Sequence, residues 1–437
     1  MQHIDTLIHA RWLIPVLPHN RELEHHSIAI NGGQIVALLP TAKARSRYSA
    51  KHTVDLPTHA LIPGLINTHT HAAMSLFRGM ADDLPLMQWL NEHIWPVEAR
   101  AMSDAFVRDG TRLAIAEMLR GGTTCFNDMY FFPDQCAKVA AEVGMRAVVG
   151  LIVLDFPTVW AEHAEEYIAK GVALHDETRH QPLISTAFAP HAPYTVSDGP
   201  LERIRVLADE LDLPVHIHLH ETKGEVNDAL KASGERPIQR LQRLGLLSPR
   251  LLAVHMTTLN DEDRATAAAH GVHVVHCPES NLKLASGFCP VQQLASAGVN
   301  VALGTDGAAS NNDLDMFGEM RTAAQLAKAV ANDAAAVPAS SALAMATING
   351  ARALGLEDEV GSLEVGKAAD VVAVDLDALA TQPVYSATSS LVYAASRDQV
   401  SHVWVHGQAQ LERGQLLNID ARAAIAKAQE WRDKIAI

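Results

Sequence analysis

Between residues 61 and 307 the chain repeats one alternation eight times: a short apolar run, then a stretch with helical spacing. The runs are "LIPGLINTHTH", "TTCFNDM", "RAVVGLIVL", "LISTAFAPH", "PVHIHLHE", "LLAVHMTTL", "GVHVVHCPES" and "VNVALGTDG". Short apolar runs bounded by turn residues read as strands buried on both faces of a parallel sheet. In the segment "DAFVRDGTRLAIAEMLRGG" apolar residues recur every three or four positions, and Gly121-Gly122 stops the helix. Eight such strands with helices between them predict an α/β fold of the (β/α)8 TIM-barrel type. No glycine-rich phosphate fingerprint favours a doubly wound sheet instead.

The two ends have a different texture. "SIAINGGQIVALLP" reads as a hairpin around Asn31-Gly32, and "HVWVHGQAQLERGQLL" as strand, His-Gly turn, strand. Residues 1–60 and 361–437 are therefore expected to pair into one small β-sandwich domain, with the barrel over residues 61–360 between them. With 437 residues, 48% of them hydrophobic, the chain can bury both cores. A formal charge of -15 without a basic block excludes a nucleic-acid backbone as partner. Cys125, Cys136, Cys277 and Cys289 are scattered with no Cys-x-x-Cys spacing, which suits a reducing compartment. The start "MQHIDTLIHARWLIP" lacks a basic stretch followed by an apolar core, and no apolar run is long enough to cross a bilayer. The expectation is a soluble, cytoplasmic protein with no membrane partner.

Polar residues gather at one end of the predicted strands. His69 and His71 lie two apart, so they share a strand face while Thr70 points away. His191 closes the fourth strand, His218 and Glu221 the fifth, His255 lies on the sixth and Asp306 closes the eighth. These are C-terminal strand ends, where barrels of this type build their sites. One buried histidine is ordinary; a ring of them at one rim is costly unless they share a partner. Periodicity alone does not choose among His216, His218 and His220, which lie on one face. Three imidazoles and a carboxylate suit zinc, with iron(II) as the alternative. The fourth run, "LISTAFAPH", offers no bridging anion for a second ion, so one metal is expected.

Taken jointly, "PGLINTHTH", His218-x-x-Glu221, His255, "HCPESNLKLASG" and "GTDGAASNNDLDMF" resemble the amidohydrolase superfamily, and within it the 5'-methylthioadenosine/S-adenosylhomocysteine deaminases. The resemblance covers nearly the whole chain. It implies a single metal per subunit held by His69, His71, His218 and Asp306, with His216, His220, His273 and His276 structural. It also implies a homo-oligomer, dimer or tetramer.

Such an ion lowers the pKa of bound water from about 15.7 to about 7, supplying hydroxide at neutral pH to attack an electron-poor carbon. Glu221, three residues beyond a ligand, is placed to shuttle a proton to the purine ring and then to departing ammonia, a role worth roughly 10²- to 10⁴-fold. His255 would direct the attack, and Asp306 would both ligate the metal and accept a proton. In "FRGMADDLPLMQWLNEHIWPVEAR" the resemblance makes Glu98 the acceptor for the ribose hydroxyls and Trp89 a wall against the sulfur-bearing end; His191 donates to the purine. A carboxylate is the natural acceptor for a vicinal diol, and a tryptophan offers a broad apolar wall.

Relatives that take the homocysteine compound carry basic residues just after the third strand, whereas "LIVLDFPTVWAEH" has none and Arg146 begins that strand. The expected substrate is therefore an adenine nucleoside thioether, 5'-methylthioadenosine before S-adenosylhomocysteine or adenosine. The alternatives are a guanine deaminase or triazine hydrolase of the same superfamily, or a metal-binding barrel without catalysis.

Overall fold

The computed structural model describes residues 1–19 and 21–436. Eight parallel strands, Leu65–Thr70, Thr123–Met129, Arg146–Val153, Ile184–Pro190, Val215–Leu219, Leu251–His255, His273–His276 and Val301–Leu303, pair in chain order. The first and eighth meet without a regular ladder, through side chains and one main-chain bond, the Asp306 N–H donating to the His69 carbonyl at 3.0 Å. Thr68 Oγ1 donates to the Leu303 carbonyl at 2.7 Å, and the Thr305 N–H donates to Asn67 Oδ1 at 3.0 Å. The expected barrel is thus nearly closed. Gly304 makes the approach possible, since a Cβ there would stand 2.8 Å from the main-chain nitrogen of His69.

Helices follow the strands where the spacing predicts them. Asp104–Arg120 begins at Ser103, whose hydroxyl accepts the Phe106 N–H at 3.2 Å. It stops at Gly121-Gly122, where Gly122 takes a left-handed φ of 83°. Together, strands and helices bury a continuous core of Val, Leu, Ile and Ala side chains.

The termini build a second, mixed sheet of eight strands. Gln2–Leu13 lies parallel to Tyr48–Pro63 and antiparallel to Leu23–Asn31, while Val371–Asp375 adds antiparallel on the other side of Tyr48–Pro63. The first hairpin turns at Gly32 and Gly33, with φ of 59° and 80°, one residue later than the sequence suggests. The second turns at His406 and Gly407, with φ of 48° and 73°. The two tips touch: a Cβ on Gly407 would lie 3.0 Å from Gly33 Cα. The one mixed sheet, its two hairpin tips in contact, encloses a core of Ile8, Ile30, Ile35, Leu61, Val371 and Trp404.

One run divides differently from its reading as a single strand. In "LIPGLINTHTH" Leu61–Pro63 belongs to the sheet of the termini, pairing Leu61 with Ala373, and only Leu65–Thr70 enters the barrel. Gly64 makes the joint, and a Cβ there would fall 1.9 Å from Thr124 Oγ1. Arg146, at the opposite end of its strand from the site, is buried against Asp370, with Nε 3.2 Å from Oδ2, and ties barrel to sheet. Among the described residues no helix is long and apolar enough to cross a membrane.

Candidate active site

The C-terminal ends of the strands bring the predicted donors together. His69 Nε2 lies 3.3 Å and His71 Nε2 3.2 Å from Asp306 Oδ1, and His218 Nε2 lies 3.2 Å from His69 Nε2. Donors bound at about 2.0–2.1 Å in a tetrahedron stand about 3.3–3.4 Å apart, so the spacing fits one small divalent cation. The other ring nitrogens are already engaged. His71 Nδ1 is 2.5 Å from the Met129 carbonyl, and His218 Nδ1 is 2.6 Å from the His191 carbonyl. A carbonyl only accepts, so both rings carry a proton on Nδ1 and turn Nε2 toward the cluster, where a metal would sit. Burial and then the neighbouring imidazoles hold His218 well below its ordinary range, which keeps it neutral.

Asp306 turns its second oxygen away from this cluster, and Ser280 Oγ donates to Oδ2 at 2.7 Å. His255 approaches the same group, its ring nitrogen within 4.8 Å of those on His69 and His218. Its Nδ1 lies 2.9 Å from Asn281 Oδ1, leaving Nε2 free. Glu221 lines the adjoining cavity, contacted only weakly by Ser286 Oγ at 3.4 Å; burial pushes its carboxyl up from the ordinary range. The main chain turns abruptly here. His220, His255 and Asp306 have φ of 54°, 76° and 63°, a region that costs a residue with a Cβ and persists only where surroundings enforce it.

The cavity measures about 490 Å³. Along one wall Leu86, Leu90, Ile94 and Glu98 recur every fourth residue on the helical segment Leu86–Ala101, with Trp89 beside them and Met102 just past its end. A π-helical turn at Leu90–Ile94 widens the period, and so keeps the stripe facing inward. Glu98 is enclosed; burial pushes its carboxyl up to about 7, opposed by a hydrogen bond from Tyr130. His191 lines the cavity too, and burial draws its imidazole down to about 3. Its Nδ1 is 3.0 Å from Thr195 Oγ1. When that hydroxyl donates to Nδ1, the Nε2–H points free for an acceptor. The wall beyond is Phe131, Ile152, Leu154, Phe156, Pro157 and Val159, and neither lysine nor arginine is among the lining residues.

His220 is engaged away from the cavity, its Nδ1 2.9 Å from the Thr258 carbonyl and its Nε2 accepting the Ile238 N–H at 3.1 Å. His216 lies deeper, but it contacts the cluster: its Nε2 is 2.9 Å from His69 Nδ1. Sequence reasoning did not single out Ser280, Asn281, Glu225 or Tyr130. Ser280 and Asn281 sit inside the quoted "HCPESNLKLASG", and Thr222-x-x-Glu225 has the spacing of a capping box. Nothing in the sequence marks Tyr130.

The sequence profile of the amidohydrolase family matches residues 60–409. The chain belongs to the amidohydrolase family. Two relatives in it, from Teredinibacter turnerae and Saccharophagus degradans, are named 5-methylthioadenosine/S-adenosylhomocysteine deaminase. The first is 53% identical over 99% of this chain and 98% of its own length. The second is 52% identical over 99% and 97%. Among solved structures, an adenosine deaminase from Xanthomonas campestris with bound zinc superposes with a TM-score of 0.99 at 57% identity, covering 100% of this chain and 99% of that one. An atrazine chlorohydrolase from Arthrobacter aurescens superposes with a TM-score of 0.90 at 25% identity, covering 98% and 100%.

Proposed function

We propose that this amidohydrolase is a hydrolytic deaminase that replaces the 6-amino group of an adenine nucleoside by oxygen and releases ammonia, with 5'-methylthioadenosine as its preferred substrate and 5'-methylthioinosine as product. The observation that carries the reading is one cavity in which donors for a cation, a buried acid at Glu221 and a diol acceptor at Glu98 face a common space. Its volume of about 490 Å³ is that of a small-molecule site. The names of the relatives and neighbours support the same chemistry.

In this reading His69, His71, His218 and Asp306 hold one zinc ion, which when bound supplies the Lewis acidity that ionises water near neutral pH. Glu221, whose carboxyl burial pushes up from its ordinary range, delivers a proton to the purine ring nitrogen beside C6 and later carries one to the departing ammonia. Asp306 takes up the proton that the attacking water loses. His255, tied to Asn281 through Nδ1, presents Nε2 to that water and fixes its approach. His191 donates to the purine, Glu98 accepts from the ribose, and Trp89 packs along the thioether.

The apolar far wall supports the methylthio compound over S-adenosylhomocysteine. An amino-acid tail would bring a carboxylate into a cavity lined by no lysine or arginine, at the cost of leaving it unpaired. We read the protein as cytoplasmic and homo-oligomeric on the resemblance of its sequence to such deaminases; sedimentation of the purified chain tests the second point. The decisive experiment is catalytic efficiency on 5'-methylthioadenosine, S-adenosylhomocysteine, adenosine and adenine, followed by ultraviolet absorbance. A preference for S-adenosylhomocysteine reverses the substrate assignment, and turnover of adenine as good as that of its nucleosides removes the role of Glu98.

A further inference from the structure

The sequence gives Tyr130 no role, yet it is the one described residue that hydrogen-bonds the Glu98 carboxylate. Tyr130 Oη donates to Glu98 Oε1 at 2.6 Å, and both side chains line the cavity. Glu98 Oε2 has no hydrogen-bond partner among the described residues. No lysine or arginine lines the cavity, so no such side chain pairs with the carboxylate. The phenol is itself held. Its ring packs on Phe131 with centroids 5.3 Å apart and lies 6.2 Å from the His71 ring, while the carbonyl of the preceding residue, Met129, receives His71 Nδ1. Two adjacent residues at the end of the second barrel strand therefore set a metal-site imidazole and a sugar-site carboxylate in register.

We propose that Tyr130 is the positioning residue that fixes Glu98 for a vicinal diol and so determines selectivity for ribonucleosides over deoxyribonucleosides; this rests on the reading of Glu98 as the ribose acceptor. An ionised carboxylate offers about four lone-pair directions, and one bond from a fixed phenol settles its plane while leaving the rest for the two sugar hydroxyls. Without the phenol, Glu98 is buried with no protein donor. The carboxyl then rotates or takes up a proton, and either change loses one of the two acceptor sites a diol needs. A substrate lacking the 2'-hydroxyl depends less on this arrangement and loses less.

The test is Tyr130→Phe, nearly the same size and shape, alongside Glu98→Gln and the double variant, assayed on adenosine, 2'-deoxyadenosine and 5'-methylthioadenosine. In Y130F the KM for 5'-methylthioadenosine is expected to rise about tenfold, the effect of a lost charge-assisted hydrogen bond, with kcat falling no more than about twofold. The ratio of kcat/KM for adenosine over 2'-deoxyadenosine should drop by about the same factor. The double variant should discriminate no less than E98Q alone, because the phenol acts only through the carboxylate. A Y130F enzyme with the wild-type ratio, or one whose kcat falls equally on both substrates, overturns this inference alone. A wild type that deaminates no adenine nucleoside overturns the reading beneath it.

Discussion

The Glu225 carboxylate accepts the main-chain N–H of Glu221 at 2.6 Å and that of His220 at 3.0 Å. It thus holds the left-handed turn at His220 that aims Glu221 into the cavity. Thr222 Oγ1 accepts the Glu225 N–H at 3.1 Å and starts the helix that carries it. Glu225→Ala leaves two buried N–H groups unpaired and frees the turn. The expected result is a fall in kcat of about 10- to 100-fold with KM changed less than about threefold, because the reacting geometry suffers before binding does. Steady-state kinetics on 5'-methylthioadenosine, with metal content measured on the same sample, separates this from loss of the ion.

Asn281 gives His255 its orientation. Its Oδ1 accepts from Nδ1 at 2.9 Å, while its buried Nδ2 has no partner among the described residues. Asn281→Ala should reduce kcat/KM by about 10- to 100-fold, the usual cost of losing a group that orients a metal-site imidazole. Asn281→Asp restores the acceptor and should recover part of the loss. Equal activity in all three proteins would remove His255 from the reaction.

Removal of the cation tests the donor cluster directly. Protein stripped by a chelator should lose its turnover and regain it when zinc is returned, and His218→Ala should bind zinc at least about tenfold more weakly. Identical rates before and after stripping would leave His69, His71, His218 and Asp306 without a function.

The pH dependence of nucleoside use should carry the mark of Glu98, whose carboxyl burial raises from 4.5 to about 7. In the proposed reading the ionised form, which prevails above about 7, is the acceptor for two sugar hydroxyls. Below that value kcat/KM on 5'-methylthioadenosine should fall, approaching about tenfold per pH unit, and this limb should be absent in E98Q. For stability the sign is opposite. A carboxyl whose folded value exceeds its unfolded one binds protons more tightly when folded, so its contribution declines as pH rises from 4.5 through about 7. Denaturant titration of wild type and E98Q across that window measures the difference.

Gly64 carries stability rather than chemistry. A Cβ at that joint meets Thr124 Oγ1 at 1.9 Å, at the base of the first two barrel strands. Gly64→Ala should destabilise the fold by about 2–3 kcal/mol while leaving the kcat of the folded fraction near wild type, which thermal melting and active-site titration together check.

Period and punctuation alone determine much of this protein. Alternation of apolar runs with helical spacing set eight barrel strands in order, His-Gly marked one hairpin tip, Asn31-Gly32 placed the other one residue early, and Gly121-Gly122 marked a helix end. The same local signals put His69, His71, His255 and Asp306 toward one rim, because residues at corresponding strand ends must share it. Depth and orientation were decided only by tertiary structure. His216, His218 and His220 share a face in the sequence pattern; the carbonyl of His191 holds His218 toward the cluster. Ile238 and Thr258 claim His220. The left-handed turns at His220, His255 and Asp306 break local preference, and long-range bonds hold them there. Tyr130 meets Glu98 across 32 residues only because an inserted helix folds back over the barrel mouth. Local spacing dictates which face a side chain leaves from, but what it meets depends on closure of the whole ring.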